Sequence, residues 1–129
     1  MSENMELLGN IARTILNDPN VSGKAFDELS IVFEFEEDGF CSGNFGYLYS
    51  ANIPPVAVSV KNFTVGKEAS AYWEFLKSDG GKGAKKMLFQ FNPDTRRVNA
   101  DFEYDDGNRW EITPDNHARQ IEALRPNLG

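Results

Sequence analysis

The chain has 129 residues, 40% of them hydrophobic, and a formal net charge of −7. That length suits one domain, residues 1–129, with a core that needs no metal or disulfide staple, and the single cysteine, Cys41, excludes an internal bridge. The longest largely apolar stretch, residues 53–60, contains Pro54, Pro55 and Ser59 and falls far short of the roughly 18 apolar residues of a membrane span. The N-terminal residues lack both the basic start and the apolar run of a signal peptide, so the expected location is cytoplasmic. Residues 1–60 hold nine acids against two bases, whereas residues 61–129 hold eleven of each. A field of this sign repels phosphate and favours cationic partners, so direct nucleic-acid binding is not expected.

Leu7, Leu8, Ile11, Ala12, Ile15 and Leu16 recur at helical spacing and predict a first helix, stopped by Asp18-Pro19-Asn20. From Phe26 to Glu36 the pattern changes to period two, predicting a strand with Leu29, Ile31, Phe33 and Phe35 on one face and Ser30, Val32, Glu34 and Glu36 on the other. Glu37-Asp38-Gly39 turns it into a second strand, residues 40–49, whose Gly43 and Gly46 suggest a bulge or a close approach. Residues 55–60 read as a short edge strand, where proline is tolerated and where pairing across a two-fold would give a homodimer. Residues 67–77 carry Ala69, Tyr72, Trp73 and Leu76 on one helical face, and Gly80-Gly81-Lys82-Gly83 ends that helix in a loop.

The best-defined element is a hairpin. Met87, Phe89 and Phe91 alternate in its first arm, Asn92-Pro93-Asp94-Thr95 supplies the turn, and Val98, Ala100, Phe102 and Tyr104 alternate with Asn99, Asp101, Glu103 and Asp105 in the return arm. Around this turn Lys77, Lys82, Lys85, Lys86, Arg96 and Arg97 surround only Asp79 and Asp94, a local basic stretch in an acidic chain. Thr113-Pro114-Asp115 signals a last helix from Pro114 to about Leu124. The expected architecture is α+β: an antiparallel sheet of four to five strands with N-terminal, middle and C-terminal helices packed on it, all on one face.

No catalytic or metal motif emerges. His117 is the sole histidine and has no sequence tie to Cys41 or a serine. Asp18 to Gly23 opens like a calcium loop, but the twelfth position is Leu29, so a capped helix end and turn is the better reading. The glycine loop lacks the Walker spacing. Glu34 and Glu103 are a conceivable acid and base pair, but on solvent-facing strand positions desolvation is too weak to divide their roles. Trp73 and Trp110 read as core.

The order helix, aromatic strand pair, Trp-bearing helix, then Phe89-Gln90-Phe91-Asn92 and Asp101-Phe102-Glu103-Tyr104-Asp105-Asp106, Trp110 and a closing helix resembles the YezG-like family of bacterial immunity proteins. Its sharpest part is residues 87–110. The resemblance implies a non-enzymatic protein without cofactors that neutralises a cognate toxin of polymorphic or contact-dependent growth inhibition systems by binding its C-terminal domain. Many such toxins are nucleases with basic clefts, which an acidic inhibitor complements. The expected docking residues are Glu34, Glu36, Glu37, Asp38, Asp101, Glu103, Asp105 and Asp106, with Tyr104 as an aromatic anchor. The competing binding reading is a secretion chaperone, which would hold an extended client rather than a folded domain.

Overall fold

The period-two segments form five strands, β1 (Glu28–Phe35), β2 (Cys41–Ser50), β3 (Ile53–Val58), β4 (Lys86–Asn92) and β5 (Arg97–Glu103), in one antiparallel sheet of order β3-β2-β1-β4-β5. They are accompanied by α1 (Glu3–Leu16), α2 (Lys67–Ser78) with a π-helical turn (Asn62–Gly66) directly before it, and α3 (His117–Ala123). This computed structural model describes residues 2–78 and 80–129; Met1 and Asp79, the latter counted with the basic stretch, lie outside the described residues. No helix among the described residues is long and apolar enough to cross a membrane.

Helix α1 starts where Ser2 accepts the Met5 N–H at 3.2 Å. Its end is tied down by buried Asp18, which accepts the N–H groups of Asn20 and Lys61, both at 2.8 Å. The acidic turn is therefore a capped helix end that fixes the chain leading to α2. On one face of the sheet Leu29, Ile31 and Phe33 of β1 and Met87, Phe89 and Phe91 of β4 pack with Ile11, Ile15, Ala69 and Tyr72. Each fully buried Leu, Ile, Phe or Met side chain among them contributes roughly 1.5–3 kcal/mol.

The opposite face departs from expectation. Val32 and Leu88 are buried there beneath Trp110 and Leu124, so the C-terminal segment packs on the face away from α1 and α2. The Tyr49 hydroxyl donates to the Ile121 carbonyl at 2.6 Å, and the Gln90 amide donates to the Leu124 carbonyl at 3.1 Å. The cause is visible in β1: a central strand reading Leu-Ser-Ile-Val-Phe is buried on both sides, so both faces need cover. Of the four residues assigned to the polar face, Ser30 and Val32 are buried, and only Glu34 at the far end of β1 and Glu36 just beyond it meet solvent.

Two boundaries also shift. Helix α3 begins at His117 rather than Pro114, because Thr113 and Asn116 exchange side chain to backbone hydrogen bonds (2.8 and 3.3 Å) that close a separate turn first. Strand β3 begins at Ile53 rather than residue 55, after a tight turn in which Asn52 takes φ 64°. Pro54 and Pro55 thus lie within an edge strand and remove two N–H donors from it.

Candidate functional site

The β1–β2 connection forms a ridge at one end of the sheet. Gly39 N–H donates to the Glu36 carbonyl, and Glu36 N–H to the Phe40 carbonyl, both at 2.9 Å, while Asp38 Oδ1 accepts the Phe40 N–H at 3.0 Å. Gly39 has φ 90°, and a Cβ there would sit 2.4 Å from the Trp73 ring. On the ring's other edge a Cβ at Gly83 would sit 2.5 Å away, and the indole N–H donates to the Ala84 carbonyl at 2.8 Å. Trp73, buried on α2, therefore clasps both the ridge and the glycine loop, and only glycine allows the approach on either side.

Beyond the ridge stand two aromatic rings with little cover. Phe40 is 63% exposed and Phe63, on the π turn, 95% exposed. They flank a depression of about 370 Å³ whose walls include Asp38, Asn62, Lys67 and Glu74. Asn44 of β2 holds this wall in place: its amide donates to Asn62 Oδ1 and to the Val60 carbonyl, and its oxygen accepts the Val60 N–H, each at 2.8 Å. A π turn inserts an extra residue into the helical path, which here presents Phe63 outward while Val65 and Gly66 are buried. Sequence reasoning did not single out either phenylalanine. The available signal was phase, since Phe63 falls off the Ala69, Tyr72, Trp73 and Leu76 face when that face is extended backward.

On the other side of the ridge a cleft of about 460 Å³ gathers Glu34, Glu36, Glu37 and Tyr104, but also Lys77, Lys85 and Lys86. The expected acidic surface is therefore divided by its ion pairs. Glu34, Lys86 and Glu103 lie side by side across β1, β4 and β5. Lys86 is 5% exposed; its ammonium sits 3.7 Å from Glu34 Oε2 and donates to the Arg109 carbonyl at 3.1 Å. Asp105 is 3.7 Å from Lys82, whose ammonium also lies over the Tyr104 ring at 5.9 Å. Asp106 accepts the Asn108 N–H at 2.9 Å, and Asp101 accepts from the Asn99 amide at 3.2 Å. Glu36, Glu37 and Asp38 are exposed and, among the described residues, join no ion pair.

Glu103 is built into the loop after β5. One carboxylate oxygen accepts the N–H groups of Asp106 and Asp105 at 2.8 and 2.9 Å, and the other meets the Arg109 guanidinium at 3.0 Å. Those two backbone N–H groups and then Arg109 lower its carboxyl from 4.5 to about 2. The ionised form is thus favoured by folding, so its contribution is complete above pH 4.5 and is lost as pH falls toward 2. In urea titrations, the stability advantage of the wild type over Glu103→Gln is expected to hold from neutrality down to about 4.5 and then to shrink toward pH 2. A constant gap across that window would remove the loop-anchoring role.

The other titratable candidates, Cys41 and His117, lie on different elements, β2 and α3. Burial pushes the Cys41 thiol up to about 11, the reverse of what a nucleophile needs. His117 is exposed on α3 with Nδ1 3.1 Å from the Pro114 carbonyl. Among the described residues no group of three or more His, Cys, Asp or Glu side chains is placed to hold a metal ion. No family model matches the chain, and no curated protein matches it.

Proposed function

We propose that the protein is a stoichiometric inhibitor that seats a basic protein domain on the ridge, acting as an immunity protein toward a cognate secreted toxin domain. The observation that carries this reading is the exposed Phe40 and Phe63 pair beside Glu36, Glu37 and Asp38, which form no ion pair among the described residues. Two exposed aromatic side chains beside a charged rim match the anatomy of an interface, where phenylalanine is enriched and the rim is polar, and carboxylates outside any ion pair are available to a partner's lysines and arginines. A nuclease domain, whose phosphate-binding cleft is basic, is the partner class that complements such a rim. The YezG-like resemblance of residues 87–110 points the same way. Occlusion needs no group transfer, in keeping with the raised Cys41 thiol and the surface position of His117.

The test is coexpression of the protein with candidate toxin domains encoded beside it, scored by growth and by copurification. Rescue of growth together with a stable one-to-one complex of the folded domain is the expected result. Recovery of an unfolded export substrate instead would assign the protein to secretion chaperoning.

A further inference from the structure

At the end of the sheet opposite the ridge, a groove of about 1070 Å³ runs between α1 and the β4–β5 hairpin. Its walls include Met5, Leu8 and Leu16 of α1 and Phe91 and Val98 of the hairpin. Arg13, Arg96 and Arg97 line the same groove, no acid does, and none of the three arginines joins an ion pair among the described residues. In a chain of net charge −7 this is an apolar trough with a locally cationic rim. We infer that it is a second docking surface, for an amphipathic helix of a protein partner whose apolar stripe is bordered by carboxylates.

Two residues support this beyond charge, because each weakens the fold where nothing inside the fold requires it. Gly9 lies in the interior of α1, where glycine is a poor helix former. A Cβ there would meet nothing nearer than the Arg13 guanidinium at 4.0 Å, so internal packing does not demand glycine. Arg96 holds φ 59°, a left-handed conformation that glycine or asparagine adopts with less strain. Both line the groove. A missing side chain at Gly9 lets a helix approach α1 closely, and an arginine at the turn supplies a guanidinium where glycine would supply none. The length matches: from Met5 to Leu16 α1 extends about 16 Å, three turns of a partner helix with anchors at i, i+3 or i+4, and i+7.

The test uses a displayed library of helix-stabilised 16-residue peptides, selected on the full wild-type chain and counter-selected on Gly9→Leu, which fills the groove with a better helix former. Enriched peptides are expected to carry that apolar spacing with flanking Asp or Glu. A synthetic copy of the leading peptide is expected to lose at least tenfold in affinity against Arg96→Gly and against Arg13→Glu. Arg96→Gly is expected to melt higher than wild type while binding less, a pairing that general destabilisation cannot produce. Phe63→Ala, at the other end of the molecule, is expected to leave peptide affinity unchanged, which separates this surface from the ridge. The inference is overturned by no enrichment over Gly9→Leu, or by enriched peptides without acids. It is overturned equally by a wild-type dimer that Gly9→Leu dissociates, which assigns the groove to a second copy, or by dodecanoate binding that Gly9→Leu abolishes while no peptide enriches.

Discussion

Trp73→Ala is expected to lower unfolding free energy by about 3–5 kcal/mol in urea denaturation, the range for removing a large buried aromatic. The effect is local in cause and wide in consequence. One indole is held against Gly39 of the ridge and Gly83 of the loop before β4, donates to Ala84, and lies 6.4 Å from the Phe35 ring. Without it, three separate stretches of chain lose their common wall. Trp73→Phe keeps part of the ring but leaves the Ala84 carbonyl without its donor, and is expected to be milder, with about 1 kcal/mol from the lost hydrogen bond. An unchanged urea midpoint for Trp73→Ala would show that the ridge is held by other means.

The ridge itself is expected to behave in the opposite way, with large effects on binding and small ones on stability. Phe63 is 95% exposed and Phe40 63% exposed, so truncating both to alanine is expected to change unfolding free energy by no more than about 0.5 kcal/mol per site. If each anchors the partner at about 2 kcal/mol, the double variant loses on the order of a thousandfold in affinity. Titration calorimetry with the proposed toxin partner reads this directly, and affinity within threefold of wild type would move the interface elsewhere. Reversing Glu36 and Glu37 to lysine is expected to act mainly on the association rate, with the deficit shrinking as salt is raised. Glu34 and Glu103 are poor choices for the same experiment. Reversal of Glu34 takes away a carboxylate beside a buried lysine, and reversal of Glu103 releases the loop N–H groups of Asp105 and Asp106 next to Tyr104, which lines the cleft.

Much of the fold was legible because its signals are periodic. Leu29, Ile31 and Phe33, then Met87, Phe89 and Phe91, declare one buried face, and the antiparallel α+β sheet with helices before, within and after it follows. Periodicity was silent about the second face. Ser30 and Val32 look like the outer side of a half-exposed strand, yet both are fully covered, because β1 sits third of five and a C-terminal segment with few apolar residues still suffices to close over it. For the site, sequence located the acids but not their obligations. Glu103 reads as a solvated charge until the loop wraps back upon it, and Lys86 becomes its neighbour only through strand register. Phe40 and Phe63 escaped notice because composition assigns phenylalanine inward by default. Only the turn at Gly39 and the extra residue of the π turn direct them out.

The buried thiol at the base of the ridge offers a further consequence. Cys41 is the chain's sole sulfhydryl, its backbone N–H is held by the Ser70 hydroxyl at 3.1 Å, and its environment keeps it protonated at neutral pH. A thiol reagent therefore reacts only during moments when the first residues of β2 separate from α2. Labelling rates at rising urea report the free energy of that separation: a rate insensitive to low denaturant means the ridge breathes alone, and a steep one means it opens only with the whole sheet. The molecule carries its own clock for the motion of the surface proposed to seat a partner, readable without introducing a new residue.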